Sequence, residues 1–490
     1  MRPGLADGLP VTKVTTGSHD GLFLNMIHAM LRTAIHWESV REPMLKILVS
    51  HNLKVFHVEG ERVVQRDLSN ITRLEDVLCF HDKNGLSGFC TLGDADRWLD
   101  LETLTITRAI PTVAVTPEYH GNGHYSFQYQ GRFGRANHLG GLDFVAEHRN
   151  LWETFKLLDI ETFHAAVRVA NHRWVLGGSD DIVQLNLRES NFDQVTFGEK
   201  QLPMEAFFKS AATAKHLPRF MFFDDWKVYE AFLLNPAVVL VVFGYGAALQ
   251  QYSECIRSIG SLAKYDGTIL IVSNIDADHL KGLAPECLRN QIQVIPMQGS
   301  DQLDYVGARL TIFNTSLLDE YQPILYSDVD IVFDRAIEPF LVAAVKARQC
   351  SAQIEPFHQI ATSEHTGSSL VQADPFSCDG LHGFNGGLLL VPNMADHGQY
   401  IRAAYQTLVR YTSRHGRTSI PFYDQSVLNY TLYKLSDFDG EPVSAHTQIG
   451  GYDHPTDPAH PRGFIHFWNT AEKHLAMRSY IDAAEKLNEA

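Results

Sequence analysis

The strongest constraint in the sequence is a regular alternation of apolar runs and amphipathic stretches that begins at Ala237. Ala237-Val-Val-Leu-Val-Val-Phe243 is a continuous apolar run, as expected for a strand buried on both faces. Gly244-Tyr-Gly246 turns it into a helix expected over 247–265. Strands follow at Thr268–Ser273 and Ile292–Met297, with helices expected over 276–288 and 302–320. A fourth strand, Ile324-Leu-Tyr326, runs into Ser327-Asp-Val-Asp330. The pattern β-α-β-α-β-α-β predicts a parallel sheet with right-handed crossovers. Ligands of such sheets bind at the carboxyl ends of the strands. Asp328 and Asp330 are expected there and, in an extended chain, would point to the same side. Two carboxylates so placed suit one hard divalent cation.

Beyond Asp330 the sequence predicts helices at 337–348, 400–411, 425–435 and 470–488. It predicts strands at Gly387–Val391 and Gly463–Phe467. The boundary of this α/β half is expected at Asn235-Pro236, dividing the chain into domains 1–235 and 236–490. Before it the texture is mixed, and an α+β domain of unassigned role is expected. Residues 22–49 have roughly helical spacing broken by Pro43. Residues 53–66 read as a hairpin, and 104–119 and 124–133 as β-rich. Residues 142–175 read as mostly helical, 182–187 as a strand, and 204–215 and 226–234 as helices. The Gly-, His- and aromatic-rich stretch His120–Arg135 is expected to be a turn and a half-buried strand rather than a sugar-stacking loop.

Composition narrows the function. The chain has 490 residues and a net charge of −16, which disfavours a general nucleic-acid binder, since that needs a basic face. Its six cysteines are scattered without a Cys-X-X-Cys pair, the pattern of a reduced, cytoplasmic protein. The longest apolar run, Pro236–Leu249, is interrupted by Gly244 and Gly246. It falls short of the ~20 residues of a membrane span.

The turn Phe243-Gly-Tyr-Gly-Ala247 follows the first strand, where a nucleotide usually sits in a doubly wound sheet. Gly244 allows close backbone approach, and Tyr245 could stack on a base. Leu249 stands where the third glycine of a dinucleotide fingerprint would be.

Four further segments, in order, carry a family resemblance. Tyr305-Val-Gly-Ala-Arg-Leu310 precedes Tyr321-Gln-Pro-Ile-Leu-Tyr-Ser-Asp-Val-Asp330. Then come Gly383-Phe-Asn-Gly-Gly387, Tyr423-Asp-Gln-Ser-Val-Leu-Asn429 and Ile465-His-Phe-Trp468. Together, over residues 237–475, they resemble the retaining sugar-nucleotide transferases of glycosyltransferase family 8, which include glycogenin, galactinol synthases and lipopolysaccharide glycosyltransferases. The resemblance implies a GT-A fold, a Rossmann-like nucleotide-diphospho-sugar transferase domain. It implies a UDP-linked sugar donor and a manganese (or magnesium) ion held by Asp328, Asp330 and His466. Such an ion neutralises charge on the departing diphosphate without a proton. A carboxylate–imidazole set favours Mn²⁺ over Mg²⁺.

By the same resemblance Arg309 serves the phosphates and sugar, Asn385 and Gly386 contact the donor sugar, Asp424 and Gln425 face sugar and acceptor, and Lys473 binds the diphosphate. The sequence departs from the family after His466. The usual glycine and Lys-Pro-Trp are missing from His466-Phe-Trp-Asn-Thr-Ala-Glu-Lys473-His, so His474 or Arg478 could stand in for Lys473. An inverting reaction would need a carboxylate base, for which Asp374 and Asp379 are available. Two other readings remain: a nucleotidyltransferase of related fold, disfavoured because the Gly244 turn has no basic residue, and a degenerate sugar-nucleotide-binding scaffold. The sugar, the acceptor (glycan, protein, lipid or small molecule) and the oligomeric state are not fixed by the sequence.

Overall fold

The computed structural model describes residues 44–71, 73–83, 86–110, 113–191, 193–214, 219–224, 226–299, 301–450, 456–468 and 470–489. The helical expectation for residues 22–43 lies outside them. Met44–Ser50, included in that helix, is a strand.

The α/β half follows the expected order. Its strands are β1 (Ala237–Val242), β2 (Thr268–Ser273), β3 (Ile292–Pro296) and β4 (Ile324–Ser327). Between them run α1 (Ala247–Ser261), α2 (Ala277–Leu283), and two short helices, α3 (Gln302–Val306) and α4 (Ala308–Phe313). The single helix expected over 302–320 therefore breaks at Gly307. Beyond β4 come β5 (Ile331–Phe333), α5 (Glu338–Ala344), β6 (Ser351–Gln359) and β7 (His382–Val391). Next are α6 (Met394–His415), α7 (Tyr423–Lys434), β8 (Thr447–Ile449), β9 (Phe464–His466) and α8 (Lys473–Glu489).

The main sheet has the order β3-β2-β1-β4-β7-β6. The first four strands are parallel, and β7 and β6 are added antiparallel. Alternate residues of one strand feed two different cores. Val238, Leu240 and Val242 of β1 pack with Tyr252 and Ile256 of α1. Ala237 and Val239 pack with Phe313, Leu389 and Leu428 on the other face. Burial on both sides is the physical reason that these strands lack polar alternation. After Ser327 the chain leaves the main sheet. Strand β5 joins a small second sheet, pairing antiparallel with β9 so that Ile331 lies opposite His466.

The first half is richer in strands than expected, and the α+β expectation is corrected accordingly. Its largest sheet has twelve strands. Met44–Ser50 pairs with Lys54–Glu59, with Leu78–Lys83 and with Phe155–Leu158, so the strand order returns upon itself. The hairpin at 53–66 and the helix at 204–215 are present, and His120–Arg135 forms a turn and paired strands. Residues 226–234 are not helical. Lys227–Leu234 is a strand, because it pairs along its length with Arg219–Asp224 and with Arg173–Leu176; tertiary pairing overrides local propensity there. Residues 142–175 contain two strands, one α-helix, Ile160–Asn171, and the start of a third strand at Arg173. No helix among the described residues is long and apolar enough to cross a membrane.

One side chain locks α7 to β7. Asn429 is buried, and its amide donates to the Phe384 carbonyl at 2.9 Å and accepts from the Phe384 N–H at 2.8 Å. Replacing Asn429 by alanine leaves both backbone groups buried without that partner. At roughly 1–3 kcal/mol for each unsatisfied group, the Asn429→Ala chain is expected to unfold at clearly lower denaturant concentration. A midpoint equal to that of the wild type would show that the clamp contributes nothing.

Candidate active site

Asp328 and Asp330 lie where the chain crosses between the two sheets. Residues 328–330 form a turn rather than the expected extended segment, so simple alternation is not what brings the carboxylates together. The β5–β9 pair does this by setting His466 beside Asp330, with His466 Nε2 3.3 Å from Asp330 Oδ1. One ligand atom from each of Asp328, Asp330 and His466 lies within 4.8 Å of the others.

The fit to a cation rests on polar atoms left over. Asp330 Oδ1 and His466 Nδ1 are buried and have no hydrogen-bond partner of good geometry, an arrangement that costs free energy unless something else satisfies them. The backbone opposite is glycine. A Cβ on Gly387 would lie 2.7 Å from His466 Cε1 and 2.9 Å from Asp328 Oδ2. The Gly387 carbonyl also accepts the Asp328 N–H at 2.7 Å.

Charges in the cluster are unevenly held. Burial pushes the Asp328 carboxyl up, Arg309 opposes this, and Asp330 reinforces it. The Tyr326 hydroxyl donates to Asp328 Oδ1. Burial acts in the same direction on Asp330, but His466 and Lys473 outweigh it and hold that carboxyl below its ordinary range. His466 is raised, because Asp330 and Asp328 together exceed the effect of burial. Lys473, the first residue of α8, donates to Asp330 Oδ2 at 2.6 Å. Arg478, an alternative to Lys473, is committed to Glu254 at 2.6 and 2.8 Å.

Arg309 is buried, not on a solvated helix face. Its guanidinium donates to Asp424 and to the Gly386 carbonyl and lies 5.0 Å from the centre of the Tyr326 ring. Among the contacts described, its donors go to protein groups. These contacts make Arg309 a positioning residue for Asp424 and Gly386.

Asn385 and Gln425 complete the wall. Asn385 Oδ1 accepts the Gly387 N–H at 2.7 Å, and its Nδ2 donates to Glu355 at 2.9 Å. Gln425 Oε1 accepts the Gly386 N–H at 3.0 Å, and its Nε2 donates to the His365 carbonyl at 3.0 Å. The two residues before Asp424, Phe422 and Tyr423, have positive φ of 57° and 40°, a backbone conformation that side chains of this size seldom adopt.

Gly244 and Tyr245 follow β1, the neighbour of β4 in the parallel sheet. Gly244 takes φ +74° and donates its N–H to Asn274 at 3.0 Å. Tyr245 is 73 % exposed. No hydrogen bond or ion pair among the described residues ties it to the acidic cluster.

Four residues were not singled out by sequence reasoning: Tyr326, Glu355, Gly387 and Asn429. Asn429 could have been found at the i, i+4 position from Gln425, and Gly387 as the second glycine before an apolar strand. Nothing local marks Glu355, which reaches Asn385 only through the β6–β7 pairing. Asp374 is exposed and pairs with Lys434 and Tyr430.

The Gly387 cradle is testable. A Gly387→Ala chain is expected to fold but to lose manganese affinity by at least about tenfold, the lower end of the loss seen when the groups supporting metal ligands are changed. Titration calorimetry with Mn²⁺ alone measures this, and unchanged affinity would place the ion elsewhere.

Comparison with known proteins agrees with the motifs. Residues 301–471 match the family model described as "Glycosyl transferase family 8". No curated protein matches the chain. Among solved structures, the galactosyltransferase LgtC in complex with donor and acceptor sugar analogues is 15% identical. It covers 51% of this chain and 95% of its own, with a TM-score of 0.37. The bifunctional glycosyltransferase WbbM is 13% identical over 52% of this chain and 51% of its own, with a TM-score of 0.37. The glycosyltransferase GlyE of Streptococcus pneumoniae TIGR4 is 16% identical over 51% of this chain and 63% of its own, with a TM-score of 0.35. The match to glycosyltransferase family 8 is confined to residues 301–471, within the α/β half of the chain.

Proposed function

We propose that the chain transfers a sugar from a UDP-linked donor to an acceptor with retention, using a manganese ion held by Asp328, Asp330 and His466 in a GT-A domain spanning 236–490. The observation that carries this reading is the convergence of Asp328, Asp330 and His466, one ligand atom of each within 4.8 Å of the others beside the Gly387 backbone, with the buried His466 Nδ1 lacking a hydrogen-bond partner. When bound, the ion supplies positive charge for the departing diphosphate. The Gly386–Gly387 backbone, fixed by Asn385, Gln425 and Arg309, forms a wall for the donor sugar. Asp424 orients that wall through Arg309. Lys473 is the mobile cation for the diphosphate, and Gly244 and Tyr245 offer a backbone turn and a ring for the base. The six unpaired thiols support a reducing, cytoplasmic setting. Residues 1–235, strand-rich from Met44 onward, are a separate domain serving acceptor or partner.

A thermal-shift panel of UDP-, GDP-, CDP- and ADP-sugars, with and without Mn²⁺, tests the donor and the metal together. A ligand at 100 times its Kd stabilises by about 2.7 kcal/mol. A manganese-dependent shift with a UDP-sugar is expected in the wild type and not in Asp328→Ala or Asp330→Ala. The same substitutions, or chelation, are expected to abolish donor turnover. Full turnover in either variant removes the metal role, and absence of any nucleotide-dependent shift favours a binding scaffold without activity.

Retention is tested separately through Glu355. Its Oε2 is buried and unpartnered while Oε1 holds Asn385, which makes it the best-placed carboxylate to act as a base. A general base contributes about 10²–10⁴-fold. Glu355→Gln preserves the acceptor for Asn385 and is expected to keep turnover within a few-fold of the wild type. A loss of a hundredfold, with an inverted anomer by product NMR, would replace retention by inversion.

A further inference from the structure

A second set of metal-ligating side chains is buried in the α/β half, separate from the acidic cluster. Cys350 stands immediately before β6, His397 in the first turn of α6, and Asp437 three residues beyond the end of α7. All three are buried. His397 Nδ1 lies 3.0 and 3.1 Å from the two oxygens of Asp437, and Cys350 Sγ lies 3.4 Å from Asp437 Oδ2. One ligand atom from each lies within 4.8 Å of the others. The backbone is knit at the same place: Asp439 N–H donates to the Cys350 carbonyl at 2.9 Å, and Cys350 forms a parallel bridge with Phe438.

We propose that Cys350, His397 and Asp437 form a structural zinc site, independent of the diphosphate-binding cluster. The donor set selects the metal, because thiolate and imidazole suit zinc, whereas magnesium and calcium take oxygen. The spacing agrees as well. Zinc–ligand bonds of about 2.0–2.3 Å in a tetrahedron place neighbouring donor atoms roughly 3.3–3.6 Å apart, close to the distances already present. With both Asp437 oxygens beside His397, the carboxylate can fill two positions and close the site without water.

Zinc binding would release the Cys350 thiol proton to solvent and would take His397 through Nδ1, with the ring proton on Nε2. Ion and ligands then staple β6, α6 and the segment after α7. Of these, β6 carries Glu355, and α7 carries Asp424 and Gln425.

Cobalt substitution separates this site from the acidic one, because only a thiolate ligand produces a sulfur-to-cobalt charge-transfer band. Full-length protein is expected to purify with about one zinc per chain and, after exchange with Co²⁺, to show that band. The band should persist in Asp328→Ala, which lacks a ligand of the other cluster. It should also persist in Cys287→Ser, which removes the exposed thiol. In Cys350→Ser the band and the zinc are expected to be lost. Wild-type protein that takes up neither zinc nor cobalt with a thiolate band overturns the proposal, even if Cys350→Ser fails to fold. A band lost in Cys287→Ser instead of Cys350→Ser also overturns it. Manganese dependence of donor turnover is read independently, so failure of the transferase reading leaves this result standing.

Discussion

The site depends on one buried guanidinium. Arg309 reaches from α4 to the Gly386 carbonyl on β7 and to Asp424 on α7, joining three elements that are distant in sequence. Burial alone would lower its affinity for a proton, and Asp424 more than reverses this. Taking both charges out of water costs several kcal/mol for each ion, so such a pair adds little net stability, while removing one partner costs about 3–5 kcal/mol. The return is geometric. Gly386 cannot turn its carbonyl away without leaving a buried guanidinium N–H unsatisfied, and Asp424 cannot rotate without leaving the buried cation unpaired. Gln425, next to Asp424, is thereby aimed at the Gly386 N–H. The wall opposite the acidic cluster is held from its carbonyl and its amide sides.

The acidic cluster is organised the opposite way. Its charges are incompletely matched, with Asp328 pushed up and Asp330 held down. Tyr326 steadies Asp328, but Asp330 Oδ1 meets His466 Nε2 only at 3.3 Å, and His466 Nδ1 has no hydrogen-bond partner. A rigid, fully paired wall next to an underpaired set of ligands is what an ion-dependent site requires. The wall fixes distances, and the ligands gain most when a cation arrives.

Sequence legibility followed burial. Strands β1, β2 and β4 were readable because both faces are covered, leaving continuous apolar runs. Strand β6 was missed because it is the edge of the sheet, where half-exposure and Pro356 are tolerated and the apolar signal disappears. The first half was misread where short, half-buried strands depend on distant partners, as in Lys227–Leu234. The candidate site residues were named by motif. Their contacts were not, because Arg309 meets Asp424 across 115 residues and Asn385 meets Glu355 across 30, and local sequence carries no record of such pairing. For Asp328 and Asp330 the expected extended alternation did not hold. They share a turn between two sheets, and the partner that defines the cluster, His466, arrives on β9.

Lys473 shows how the missing Lys-Pro-Trp segment can be replaced. Its ammonium sits on Asp330 Oδ2, beside the Oδ1 that faces His466. A divalent ion between Asp328, Asp330 and His466 competes for the same carboxylate and repels the ammonium at short range. Lys473 opens α8 rather than lying within it, so its side chain can move without unwinding helix. On the proposed reading, the negative charge nearest to the displaced ammonium is the diphosphate that the ion itself binds. On that reading one carboxylate is shared by two cations, and Lys473 is placed to reach the diphosphate as well as Asp330.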